Sequence, residues 1–273
     1  MYLIDTHCHI NAMVKSPFDA PLTTHEIDAA EPIILEAKAH NVSTIINVGT
    51  SVIESKNCIA LAQRYENCYA AIGIHPNDLT SMWKNDIEEL KKLLQKKEDY
   101  KIIAIGECGL DKHYPDYDEQ RQRDAFKIQI ELALEHGLAL IVHTRDADDE
   151  VLPIIAEYRG QGLKGVIHCF SEGLAFAQKA IELGFVLGIG GTITYPKNQV
   201  LREVVKTVGL EHIILETDAP FLPPQEFRGK QNHPKYIALI AEYIAKLVTI
   251  DVEIVAEQTT KNALRIFNVR STL

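Results

Sequence analysis

The stretch DEQRQRDAFKIQIELALEHGLALIVHTRDA, residues 118–147, reads as a helix, a stop and a strand that runs into a histidine. Phe126, Ile130, Ala133 and Leu134 recur at i, i+4, i+7 and i+8, which gathers apolar side chains on one helix face. Gly137 then supplies the residue that a helix end prefers. LALIV (138–142) follows it, and KIIAIG (101–106) precedes the helix, so strand, helix and strand succeed one another. The alternation extends outward in both directions. Short aliphatic or β-branched runs recur as YLID (2–5), STIINV (43–48), YAAIG (69–73), KGVI (164–167), FVLGIG (185–190) and HIILET (212–217). Segments of helical period lie between most of them; in PIILEAKAHN (32–41), Pro32 sits acceptably in the first turn. Eight strands alternating with helices in 273 residues predict an α/β fold, a (β/α)₈ TIM barrel, with a doubly wound open sheet as the alternative. No fixed-period repeat, low-complexity tract or Gly/Ser linker divides the chain, so residues 1–273 are expected to form a single domain.

Composition narrows the class. A hydrophobic content of 46% is ample for a packed core. No apolar run approaches the roughly 18 residues of a membrane span, and MYLIDTHC lacks the basic and long apolar regions of a signal peptide. Cys8, Cys58, Cys68, Cys108 and Cys169 are odd in number and show no CxxC spacing, which fits reduced thiols and a cytoplasmic location. The formal net charge of −10 argues against coating nucleic acid by bulk electrostatics. It leaves room for an enzyme that reaches phosphate through a metal and a few local cations. No obligate protein partner is evident.

The reactive residues fall where a barrel works, at the C-terminal ends of its strands. LIDTHCHI (3–10) carries His7 and His9; strand alternation turns both imidazoles to one face and Cys8 to the other. Glu107 follows the fourth strand in IGECGLD (105–111), and His143 follows the fifth in LIVHTRDA (140–147). His168 ends the sixth in GVIHCF (165–170), and Asp218 ends the eighth in ILETDAP (214–220). Six such residues exceed the three protein ligands of a typical catalytic zinc and fit two divalent ions, with Glu107 as the natural bridge. Such a pair clamps the attacking and leaving oxygens of a hydrolysis. Magnesium, manganese, zinc and nickel all remain open as the metal.

The HxH of the first strand, followed in order by GECGLD, IVHTRDA, IHCFS and LETDAP, resembles the TatD family of metal-dependent deoxyribonucleases. That family belongs to the amidohydrolase-like TIM barrels, and the resemblance runs from about Leu3 to Phe267. It implies His7, His9 and Asp218 on one metal, His143 and His168 on the other, and Glu107 between them. It also implies hydrolysis of DNA phosphodiesters, often from the 3′ end, with single-stranded DNA among the candidate substrates. The expected mechanism is in-line attack by a hydroxide held between the two ions, with Asp218 accepting its proton.

Around this set, the resemblance implies a substrate contact for His75 of GIHPND (73–78). Arg145 offers a bidentate fork for phosphate, or else pairs with Asp146. Arg228 and Lys230 of FRGKQNHP (227–234) are further candidates for holding a phosphate, and Glu216 is expected to orient a ligand. Asp111 and Tyr114 are read as lying in a loop after Glu107, and Cys8, Cys108 and Cys169 as fillers turned away from the site. The chain departs from the family at Asn77, where a second histidine is common, and at Lys112 and His113, where aromatics are. Two rivals stand beside the nuclease: an amidohydrolase-like enzyme acting on a small amide, lactone or phosphoester, and a non-enzymatic metal-binding protein.

Overall fold

A computed structural model describes residues 2–15 and 17–269. Eight parallel strands follow one another in sequence order around a single sheet. They are β1 (Leu3–Cys8), β2 (Val42–Val48), β3 (Cys68–Ile72), β4 (Ile102–Asp111), β5 (Ala139–Arg145), β6 (Gly165–Ile167), β7 (Phe185–Ile189) and β8 (Ile213–Leu215). Helices alternate with them, which is the TIM barrel that the sequence pattern predicts. The helix Glu119–His136 buries Phe126, Ile130 and Ala133. It begins at Asp118, whose carboxylate accepts from Arg121 N, and stops at Gly137, whose φ of 64° suits a residue without Cβ. No helix among the described residues is long and apolar enough to cross a membrane.

Three strand ends differ from the sequence reading. β4 and β5 continue past Ile105 and Val142, pairing Gly109 with His143 and Asp111 with Arg145. Gly109 permits this because a side chain there would overlap the His143 carbonyl. Glu107, His143 and Asp111 therefore sit on strands rather than in loops. β8 stops early, at Leu215, so Asp218 lies three residues beyond it.

The early stop has a physical cause. Between β1 and β8 the sheet retains one isolated bridge, Cys8 to Ala219, and side chains complete the closure. Asp5, fully buried, accepts from Thr217 N at 2.9 Å and from Thr217 Oγ1 at 2.6 Å. Thr6 Oγ1 donates to Leu215 O at 2.9 Å, and Asp218 N donates to His7 O at 2.9 Å. The chain after β8 is thus pinned to β1 by residue type, with Asp218 held at a φ of 58°.

Burial pushes the Asp5 carboxyl up to about 8 despite these donors. Its unfolded value lies near 4, so folding favours the protonated form. Stability from this group is complete below pH 4 and lost as pH rises through 8. Asp5→Ala, which orphans two buried donors of Thr217, is expected to cost about 2–4 kcal/mol in chemical denaturation. Asp5→Asn mimics the protonated acid; it should keep most of that stability and flatten the decline between pH 5 and 8.

Candidate metal centre

The C-terminal ends of the strands enclose a cavity of about 580 Å³. Glu107 stands at its floor, and five imidazoles converge on its carboxylate. Oε2 faces His7 Nε2 at 3.4 Å and His9 Nε2 at 4.0 Å. Oε1 faces His143 Nδ1 at 2.7 Å, His168 Nε2 at 3.7 Å and His75 Nε2 at 3.8 Å. Asp218 Oδ1 borders both groups, 3.3 Å from His9, 3.7 Å from His7 and 3.9 Å from His168. The six residues singled out on strand ends are therefore brought together, and His75 joins them. His7 and His9 do share a face, with Nε2 atoms 3.1 Å apart.

Supporting contacts decide which nitrogen of each ring looks inward. His9 Nδ1 lies 2.8 Å from Val48 O, which places the proton there and leaves the Nε2 lone pair aimed at the site. His143 Nε2 bonds Asp111 Oδ2 at 3.1 Å, leaving Nδ1 toward Glu107. Behind His168 Nδ1 stands Glu216 Oε1 at 2.9 Å, a charge contact whose angles fall outside those of a hydrogen bond. Glu216 finds its room because Gly188, with no side chain, faces it. His75 is the opposite case. Its Nδ1 accepts from Asn77 N at 3.2 Å, so the inward Nε2 carries a proton and donates.

The charges argue for a cation. Glu107 and Glu216 are buried and Asp218 nearly so, and an unpaired buried charge is costly. Burial opposes charge on His168, yet Glu216 and Glu107 outweigh it and raise the imidazole to about 10. Burial likewise opposes ionisation of Glu107, but His168, His143 and His7 hold it well below the usual carboxylate range. His7 Nδ1 and Glu216 Oε2 are buried without hydrogen-bond partners. Two imidazole nitrogens 3.1 Å apart need a proton or a cation between them. Nitrogen and carboxylate donors of this kind suit divalent metals. Ligand atoms of His7, His9 and Glu107 lie within 4.8 Å of one another; so do those of His7, His168 and Glu216, and those of His75, Asp111 and His143.

Other sequence candidates fall less centrally. Arg145 is exposed and lines the cavity, while Asp146 pairs with His113 Nδ1 at 3.1 Å instead. Arg228 is not among the residues lining the cavity; its guanidinium sits 5.0 Å above the Tyr195 ring. Cys8 and Cys108 are buried as expected, whereas Cys169 is half-buried and lines the cavity. Its φ of 46°, just past the end of β6, turns it there.

Asp111 is the residue whose place the sequence reading missed. It is buried at the end of β4 and accepts from His143, Asn77 Nδ2 and His113 N. Burial pushes its carboxyl up, but these bonds outweigh it and hold it at about 2. The signal was available: Glu107, Gly109 and Asp111 share one face of a strand that simply continues.

In metal-free protein, burial lowers the His143 pKa while Asp111 and Glu107 raise it, for a net upward shift. Asp111→Asn is therefore expected to move the His143 imidazole titration, followed by NMR, toward lower pH. An unmoved titration would mean that Asp111 does not orient this ring.

A family model described as TatD related DNase matches residues 4–268. A Bacillus subtilis protein named as a metal-dependent hydrolase, YabD, is 36% identical over 98% of this chain and 99% of its own length. YcfH of Escherichia coli K12, named likewise, is 32% identical over 98% of this chain and 97% of its own length. The crystal structure of YjjV, a TatD homologue from Escherichia coli K12, superposes with a TM-score of 0.88 at 31% identity, covering 98% of each chain.

Proposed function

The chain belongs to the TatD related DNase family of metal-dependent hydrolases, and we propose that it cleaves DNA phosphodiester bonds from the 3′ end with two divalent ions. The observation that carries this reading is the divided carboxylate of Glu107, one oxygen toward His7 and His9 and the other toward His143 and His168. His7, His9 and Asp218 would hold one ion, His143 and His168 the other, and Glu107 both. Bound divalent ions would supply Lewis acidity for the phosphate and lower the pKa of an attacking water to about 7. Manganese, zinc, nickel and magnesium all suit such donors.

The residues then divide the work. Water attacks phosphorus in line with the leaving 3′ oxygen, and Asp218 takes its proton. As the P–O bond breaks, Asp218 returns that proton to the leaving oxygen. His75, held near a pKa of about 4 by burial and by its neighbour His143, stays neutral at working pH and donates its Nε2 proton to a phosphate oxygen. Arg145 forks onto a second oxygen. Arg228, outside the cavity, is available to phosphates further along the strand. The whole chain, 1–273, is read as one domain, and its free cysteines fit a reducing cytoplasm.

End-labelled single- and double-stranded oligonucleotides test this reading. A metal-supplemented digest should shorten them from the 3′ end, and chelator should stop it. Hydrolysis of a small amide or lactone with intact DNA would replace the nuclease by its amidohydrolase-like rival. For Asp218→Asn, the amide keeps one coordinating oxygen but accepts no proton at neutral pH. Turnover should fall roughly 10²–10⁴-fold with metal content largely kept. Metal lost in step with activity would reduce Asp218 to a ligand. His7→Ala combined with His9→Ala should remove one ion and leave the His143 and His168 side partly filled; elemental analysis reads this directly, and an unchanged count would overturn the assignment.

A further inference from the structure

The cavity lining is of two unlike kinds. It includes the polar groups of Arg145, Ser171, Thr192 and Asn198 and the hydrocarbon of Phe18, Phe221 and Leu222. Phe18 is 48% exposed and Phe221 51%, a large apolar area to leave open beside a charged site. Neither belongs to a loosely attached loop. Phe221 N donates to Asp218 O at 2.8 Å, and Phe221 O accepts from the fully buried Asn232 at 2.6 Å. Its ring lies edge-on to His9, with centroids 6.0 Å apart. The loop that carries Phe18 is fastened by Glu54, a buried carboxylate that accepts from Asp19 N at 2.8 Å and pairs with Lys15 at 2.6 Å. Ser51 adds a bond to Asp19 at 2.6 Å.

We infer that Phe221 is a stacking shelf for the nucleobase of the nucleotide being removed, with Phe18 contributing a second apolar face. This rests on the phosphodiester reading above and deepens it. Charge supports it. Among the described residues lining the cavity, Arg145 is the one lysine or arginine, in a chain of net charge −10. Cationic side chains therefore add little phosphate affinity beyond the metal site, and base stacking is a further large term available to the strand. Phe221 follows Asp218 by three residues, so the shelf and the proton acceptor are carried by one rigid turn.

Two esters with the same leaving group isolate the base: thymidine 5′-(p-nitrophenyl phosphate) and methyl p-nitrophenyl phosphate, both with metal-loaded protein. In Phe221→Ala, the ratio of kcat/KM for the thymidine ester to that for the methyl ester should fall about 10-fold, mainly through KM. Phe221→Tyr should restore the ratio, and Phe18→Ala should lower it too. A ratio unchanged in Phe221→Ala overturns the inference. Binding gives a second readout: a phosphorothioate oligonucleotide with a 3′-terminal 2-aminopurine should lose fluorescence on the wild-type protein and lose less on Phe221→Ala. If wild-type protein cleaves neither ester, the phosphodiester reading fails. The fluorescence then still decides the shelf, and an unquenched base removes it.

Discussion

The pair of bonds from Thr217 to the buried Asp5 carboxyl group is the constraint on which the active end of this barrel depends. Seven of the eight strand junctions are parallel ladders, held together by backbone hydrogen bonds. The eighth, between β8 and β1, is made largely by side chains. Because Thr217 N is spent on Asp5, β8 ends two residues earlier and the chain turns inward. Asp218 N then reaches His7 O, and His9 N reaches Ala219 O at 2.7 Å. One buried aspartate thus fixes the distance from β1, which carries two imidazoles, to the turn carrying Asp218 and Phe221.

A second set of fastenings comes from the outer layer. Gln122 and Gln129 lie seven residues apart on the buried face of the helix Glu119–His136, where an apolar residue would be the usual occupant. Each amide pairs with both backbone groups of one residue. Gln122 bonds Asp111 N and O at 2.9 and 2.8 Å, and Gln129 bonds Ile74 N and O at 2.8 and 3.1 Å. Those residues precede or carry the groups beside Glu107: Ile74 leads into His75, and Asp111 holds His143. A fully satisfied buried amide rigidifies what it touches. The helix therefore sets the position of two site residues as well as covering the sheet.

These two arrangements explain what could be read from the sequence and what could not. Strand order and the six convergent residues were legible because they depend on local features: apolar runs, helix period, and histidines or carboxylates at strand ends. The extent of β4 and β8 was not, because each end is decided by a partner distant in sequence. β4 runs on to Asp111 because β5 and Gly109 allow it, and β8 stops because Asp5, more than 200 residues away, takes Thr217 N, the next donor on the β1 side. Phe18 and Phe221 were missed for a related reason. A phenylalanine reads as core in any local window, and only the tertiary structure leaves these two half bare.

The acidic character of the chain and a phosphate substrate are compatible once the charge is located. Glu107, Glu216 and Asp218 make the bare site strongly negative, and a phosphate approaching it would be repelled at short range. Those carboxylates shift His9, His143 and His168 toward the protonated form, while burial and neighbouring imidazoles shift His7 and His75 away from it. Divalent ions reverse the local sign, and electrostatic reasoning about such a site has to include them. On the reading proposed above, metal must therefore bind before the strand does. Specificity for the strand end then falls to groups that keep their character in either state, which here are the neutral Nε2–H of His75 and the aromatic faces at the cavity mouth.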